Sequence, residues 1–153
     1  MAERVTGEQY VRVCSQKFPR FGAGIDLSPK VLIVDDEDFF RRIVAMGFER
    51  EGFSVCQADN GEDAIKLAGT EMPDLILLDL VMPKLLGFEV CQILRNDKRF
   101  SKTAIIIMSA KSYKPDFDKA AELGADDYVV KPFELQDLLK TARHHMNKRL
   151  NPS

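Results

Sequence analysis

Leu75-Ile76-Leu77-Leu78-Asp79-Leu80-Val81-Met82-Pro83 is the decisive stretch. Four apolar residues in a row, without polar alternation, describe a strand buried on both faces. Asp79 then stands at the tip of that strand, with a short apolar turn and a proline behind it. A carboxylate delivered by a buried strand is costly unless a cation or phosphoryl chemistry uses it. Upstream, Val31-Leu32-Ile33-Val34 ends in the same way on Asp35 and Asp36. Two buried strands therefore bring three carboxylates toward one sheet edge.

Outward from this stretch the signals alternate. Apolar runs at Val31–Val34, Phe53–Cys56, Leu75–Leu78, Ala104–Met108 and Tyr128–Val130 read as five strands. Helical patterns lie between them at Phe39–Arg50, Glu62–Ala68, Leu85–Asn96 and Asp116–Leu123. A last helix follows Pro132, with Leu135, Leu138, Leu139, Ala142 and Met146 spaced to share one face. Gly52, Gly69 and Gly124 fall where helices are expected to stop, and Asp59-Asn60-Gly61 offers cap residues for the second. Alternating strands and helices predict parallel pairing with right-handed crossovers. The expected fold is a flavodoxin-like, doubly wound, five-stranded parallel sheet of order 2-1-3-4-5 with five helices. In such sheets ligands sit beyond the carboxyl ends of the strands, at the switch point beside strand 1. Asp35, Asp36 and Asp79 end the two strands that flank that point.

The 153 residues suffice for one domain with a real core, and 45% hydrophobic with 30% charged residues is ordinary for a globular chain. No apolar stretch approaches the roughly 20 residues of a membrane span, and Met1-Ala2-Glu3-Arg4 does not open a signal peptide. A cytoplasmic location is the expectation, with no membrane partner. The net charge of −2 offers no electrostatic basis for direct nucleic-acid binding. Cys14, Cys56 and Cys91 form no C-x-x-C pair, and the last two read as small core residues. Adjacent His144 and His145 read as solvated, since neighbouring helical positions do not face one another.

Three like charges at one edge raise one another's pKa unless something positive sits among them. Mg²⁺ suits such a site, because it is held by one or two carboxylates together with phosphate oxygens and water. One carboxylate could then attack phosphorus and form an aspartyl phosphate. The transferring group needs positive charge and donors around its oxygens. Ser109 at the end of strand 4 offers a hydroxyl, and Lys131 after strand 5 an ammonium.

On these residues the chain resembles the receiver domain of two-component response regulators, over roughly residues 30–150. The resemblance is carried by Val34-Asp35-Asp36, by Leu78-Asp79-Leu80-Val81-Met82-Pro83 with Gly87, and by Ser109-Ala110-Lys111. Gly124-Ala125-Asp126-Asp127-Tyr128-Val129-Val130-Lys131-Pro132-Phe133 completes it. It implies that Asp79 is the phosphoacceptor. Asp36 and Asp79 would bind Mg²⁺ directly, Asp35 through water, and the Val81 backbone carbonyl would add a ligand. Lys131 would pair with a phosphoryl oxygen, and Ser109 and Tyr128 would form the switch. Lys131-Pro132 would be cis. The donor would be a sensor histidine kinase or a histidine phosphotransfer protein. An unidentified downstream protein would read the helix 4–strand 5–helix 5 face, where Lys111, Lys114, Lys119 and Lys140 are expected. The resemblance is compatible with a homodimer through that face and with a monomer. Val81 and Lys111, two residues beyond Asp79 and Ser109, would flank the route of attacking water; a valine cannot orient that water, so a long-lived phosphorylated form is expected.

The expected organisation is an N-terminal extension and linker over 1–29, a receiver domain over 30–150 and a tail over 151–153, with no output domain following. Within the extension, Val11, Cys14 and Phe18 could line one side of a short helix, for docking or dimerisation. No substrate turnover is expected. An alternative is a phosphatase of the haloacid-dehalogenase type, which wants an Asp-x-Asp nucleophile motif on strand 1. Asp36-Glu37-Asp38 formally offers one, but that reading leaves Asp79 unexplained.

Overall fold

The computed structural model describes residues 27–152, so the helix expected around Val11, Cys14 and Phe18 lies outside the described residues. The chain alternates β1 (Lys30–Val34), α1 (Asp38–Arg50), β2 (Ser54–Ala58), α2 (Gly61–Glu71), β3 (Leu75–Asp79), α3 (Gly87–Arg95), β4 (Ala104–Ser109), α4 (Lys114–Glu122), β5 (Asp127–Val130) and α5 (Leu135–Leu150). A 3₁₀ turn, Lys98–Phe100, precedes β4. All four strand pairings are parallel, and the order is β2-β1-β3-β4-β5, as the flavodoxin-like reading expects.

The absence of alternation in the strands has a direct cause. Val31, Ile33, Leu75, Leu77, Ala104, Ile106 and Met108 feed a core layer shared with α1 and α5. Leu32, Val34, Ile76, Leu78, Ile105 and Ile107 feed the opposite layer, against α2, α3 and α4. Each buried Leu or Ile contributes about 1.5–3 kcal/mol, so β1, β3 and β4 anchor both layers. Edge strand β5 is only half-buried along its length.

Helix ends departed from expectation in several places. Gly69 does not stop α2; the helix runs on to Glu71 and ends where Met72 takes a left-handed conformation ahead of Pro73. The Asn60 side chain does cap it, accepting from the Asp63 N–H at 2.9 Å. Helix α3 begins at Gly87 rather than Leu85. A Cβ at Gly87 would collide with the Asp79 carbonyl and approach the Leu80 Cα within 2.8 Å. Glycine therefore lets the start of α3 lie directly against the backbone that carries Asp79. The Gly87 N–H closes the turn by donating to the Leu80 carbonyl at 2.9 Å.

Cys56 and Cys91 are both buried, and Cys91 is a free thiol in the core as expected. Burial pushes the Cys91 thiol up to about 11. The histidine reading holds for His144, which is exposed, and needs correction for its neighbour. His145 is largely buried, its Nε2 2.8 Å from Oδ2 of Asp127, the first residue of β5. No helix among the described residues is long and apolar enough to cross a membrane.

Candidate functional site

The sheet order reverses between β1 and β3, which opens a crevice at their carboxyl ends. Asp35 and Asp36 enter it directly after β1, and Asp79 is the last residue of β3. One ligand oxygen from each of these carboxylates lies within 4.8 Å of the other two. Asp35 is fully buried, Asp79 is 8% exposed, and Asp36 faces solvent. Such a donor set, all hard oxygens, suits a small divalent cation such as Mg²⁺.

Each carboxylate is held differently. Asp35 Oδ1 accepts from the Glu37 N–H at 2.9 Å, and Oδ2 accepts from Lys131 Nζ at 2.8 Å. Its backbone is fixed as well, since the Asp35 N–H donates to the Ala58 carbonyl and Arg41 Nη1 donates to the Asp35 carbonyl at 2.8 Å. Asp79 has weaker support: Lys131 Nζ stands 3.8 Å from its Oδ1, beyond hydrogen-bond reach. Burial, with the negative charges of Asp35 and Asp36 outweighing Lys131, pushes the Asp79 carboxyl up to about 6. The site thus holds more negative charge than its single lysine neutralises.

Lys131 reaches the crevice from the end of β5, where its N–H donates to the Ser109 carbonyl at 2.8 Å. The following Lys131–Pro132 bond is cis. Ser109 ends β4, buried, and its Oγ accepts from the Lys111 N–H at 3.1 Å. Tyr128 donates its hydroxyl to the Lys111 carbonyl at 2.9 Å, and its ring meets Phe117 edge-on, centroids 4.5 Å apart. Burial raises the Tyr128 phenol, and the nearby Ser109 hydroxyl works against that rise. Val81 lies just beyond Asp79 with its side chain 57% exposed.

All the residues singled out from the sequence, Asp35, Asp36, Asp79, Val81, Ser109, Tyr128 and Lys131, therefore fall on or beside this one edge. Asp38 does not join them. It is the first residue of α1 and is taken up by Arg41 and Arg42, at 2.6 and 3.0 Å. The Asp-x-Asp alternative thus lacks its second carboxylate. Nor do Asp35 and Asp36 cap α1, whose N-cap position belongs to Glu37.

Sequence reasoning missed Phe40. The Lys131 ammonium stands 4.2 Å from the centroid of its ring, which packs edge-to-face on Phe133 at 5.7 Å. The available signal was faint: two adjacent phenylalanines in the first turn after an acidic pair, where one turns inward and Phe39 remains 75% exposed.

A family model described as the response regulator receiver domain matches residues 31–143. The chain is 43% identical over 112 residues to the alkaline phosphatase synthesis transcriptional regulatory protein PhoP of Bacillus subtilis, covering 73% of this chain and 46% of that protein. It is 38% identical over 115 residues to the DNA-binding dual master transcriptional regulator RpaA of Synechocystis, covering 75% and 48%. The chain thus spans about half the length of these curated relatives. Among solved structures, the receiver domain of the Francisella response regulator 1452 superposes with a TM-score of 0.74 at 30% identity, covering 79% of this chain and 98% of that one. With the sheet order, the carboxylate crevice and these likenesses in agreement, the chain belongs to the response-regulator receiver-domain family of two-component signalling.

Proposed function

We propose that the chain is a phosphorylation-activated switch whose phosphoacceptor is Asp79. The observation that carries this reading is the gathering of three carboxylates within 4.8 Å at the end of two buried strands, with Lys131 and Ser109 supplied by the neighbouring strand ends. Asp36, Asp79 and the Val81 carbonyl would hold Mg²⁺ directly and Asp35 through water. When bound, the cation supplies positive charge to the carboxylates and to the phosphoryl oxygens.

The ionised Asp79 carboxylate attacks phosphorus of a phosphohistidine on a sensor kinase or phosphotransfer protein. An O–P bond forms and the P–N bond breaks. Its electron pair returns to the imidazole, which leaves neutral after taking up a proton. Lys131 offers its ammonium to one phosphoryl oxygen and Ser109 its hydroxyl to another. No further substrate is turned over; the aspartyl phosphate is itself the signal, lost slowly to water.

Readout runs through Lys111. Its backbone N–H is held by Ser109 and its carbonyl by Tyr128. A Ser109 hydroxyl drawn to the phosphoryl group would release the first bond and bias the second, a local change with a two-state consequence. The face concerned is α4, β5 and α5. Lys111, Lys114 and Lys140 are exposed there, while Lys119 leans over the Phe88 ring of α3 at 5.0 Å. A downstream protein, or a second copy of the chain, would discriminate the two states by differential affinity for that face. In this reading residues 30–150 form the receiver unit and engage proteins rather than nucleic acid. Residues 1–29 form an extension and 151–153 a tail.

Intact mass after incubation with acetyl phosphate tests this. One added phosphoryl group is expected with Mg²⁺, and none without Mg²⁺ or in Asp79→Ala. An adduct that persists in Asp79→Ala, or no adduct at all, would sink the assignment.

A further inference from the structure

Lys131 is the most mobile type of side chain in the crevice, and its stem must lose rotamer freedom for the ammonium to be useful. Three contacts restrict it: Asp35 Oδ2 at 2.8 Å, Asp79 Oδ1 at 3.8 Å and the face of the Phe40 ring at 4.2 Å. The Asp35 contact alone would draw the ammonium toward β1 and away from Asp79, since a short charge-assisted bond is the stronger attraction. The ring is a different kind of partner. Its face attracts a cation through the quadrupole, with weak directional demand and no lone pair.

We infer that Phe40 is a positioning residue for phosphoryl transfer: its ring holds the Lys131 ammonium in the crevice without competing for the proton donors that phosphoryl oxygens need. This rests on the reading of Asp79 as phosphoacceptor. Two features separate the arrangement from simple packing. The ring lies under a charged atom rather than under the lysine stem alone. It is also braced at 77° by Phe133, which is two residues beyond Lys131 on the same loop. Lysine and brace therefore arrive together on one loop, while the ring they both contact is anchored on α1.

The test compares Phe40→Leu, which keeps apolar bulk and loses the aromatic face, with Phe40→Tyr, which keeps the face. Acetyl phosphate uptake with Mg²⁺ is followed by intact mass. In parallel, NMR of lysine-labelled, metal-free protein follows the Lys131 side-chain methylene beside the ammonium, assigned through Lys131→Arg. Ring current from Phe40 should displace that resonance in the wild type. Phe40→Leu should abolish the displacement and slow uptake about three- to tenfold, the range expected for a partly desolvated cation–π contact. Phe40→Tyr should retain both. Unchanged uptake in Phe40→Leu, an unmoved Lys131 resonance, or equal loss in Phe40→Tyr would overturn the inference alone. Failure of the wild type to take up a phosphoryl group would overturn the Asp79 assignment with it, and the two failures are thereby distinct.

Discussion

The two ends of the sheet use the same chemistry in opposite proportions. At the amino-terminal end one carboxylate, Asp126, is gripped by two guanidiniums. Arg149 binds its Oδ1 through Nη2 at 2.8 Å and Arg95 its Oδ2 at 3.1 Å, while the Ile105 N–H donates to Oδ2 at 2.9 Å. The spare donors of the arginines go to the carbonyls of Phe100, Gly124 and Ser101. At the carboxyl end three carboxylates share one lysine, and Asp79 is left titrating at about 6. A satisfied network rigidifies, whereas an under-compensated one stores free energy that a ligand can release. The first end ties α3, α5, β4 and β5 together; the second leaves negative charge uncompensated.

Removing the clamp should have the larger effect on stability. Asp126→Ala leaves two largely buried guanidiniums and a backbone N–H without their acceptor, and should cost about 3–5 kcal/mol in urea unfolding. A loss below about 1 kcal/mol would put the pair in the class of exposed ion pairs and erase the contrast between the two ends.

At the other end the sign should reverse. Asp79 titrates at about 6 in the folded protein against 3.8 for the unperturbed group. The folded state therefore binds the proton more tightly, and stability falls as pH rises from about 4 through 6. Metal-free Asp79→Asn should be more stable than the parent at pH 7, by on the order of 1–3 kcal/mol. The difference should vanish below about pH 4, where both states are protonated. Mg²⁺ should close the gap by stabilising the parent preferentially. A variant that is less stable at pH 7, or a gap indifferent to pH, would show that Asp79 is already neutralised by Lys131.

The smallest effect sharpens the comparison kinetically. Val81 borders Asp79 with an exposed apolar side chain and offers nothing to orient a water. Val81→Asn should leave stability nearly unchanged and shorten the life of the phosphorylated form several-fold, measured as decay of the mass adduct. Rapid loss in the parent, unaltered by the substitution, would discard the expectation of a long-lived phosphate.

Much of the site was legible because its cost is local. A carboxylate following Leu75-Ile76-Leu77-Leu78 is conspicuous, and so are Ser109 and Lys131 once strands 4 and 5 are drawn. The carboxyl ends of parallel strands must share an edge, so listing their last residues assembles most of the crevice. Helix ends were less legible. Gly69 looked like a stop but lies inside α2, because the turn ahead of Pro73 is made by Met72 instead. His145 looked solvated because its partner, Asp127, lies on a neighbouring strand rather than on its own helix.

The sequence by itself determined which segments are strands, which are helices, and that three acidic strand ends, a serine and a lysine meet at one edge. Periodicity and a buried run's terminal carboxylate are properties of a few consecutive residues, readable without partners. Only the tertiary structure decided how charge is distributed there. Arg41 and Arg42 withdraw Asp38 from the crevice. Phe40 slides its ring beneath an ammonium that lies far along the chain. Asp126 acquires its two arginines from α3 and α5. Those pairings depend on strand order, register and helix packing, and electrostatic free energy depends on the distances and burial that such packing sets.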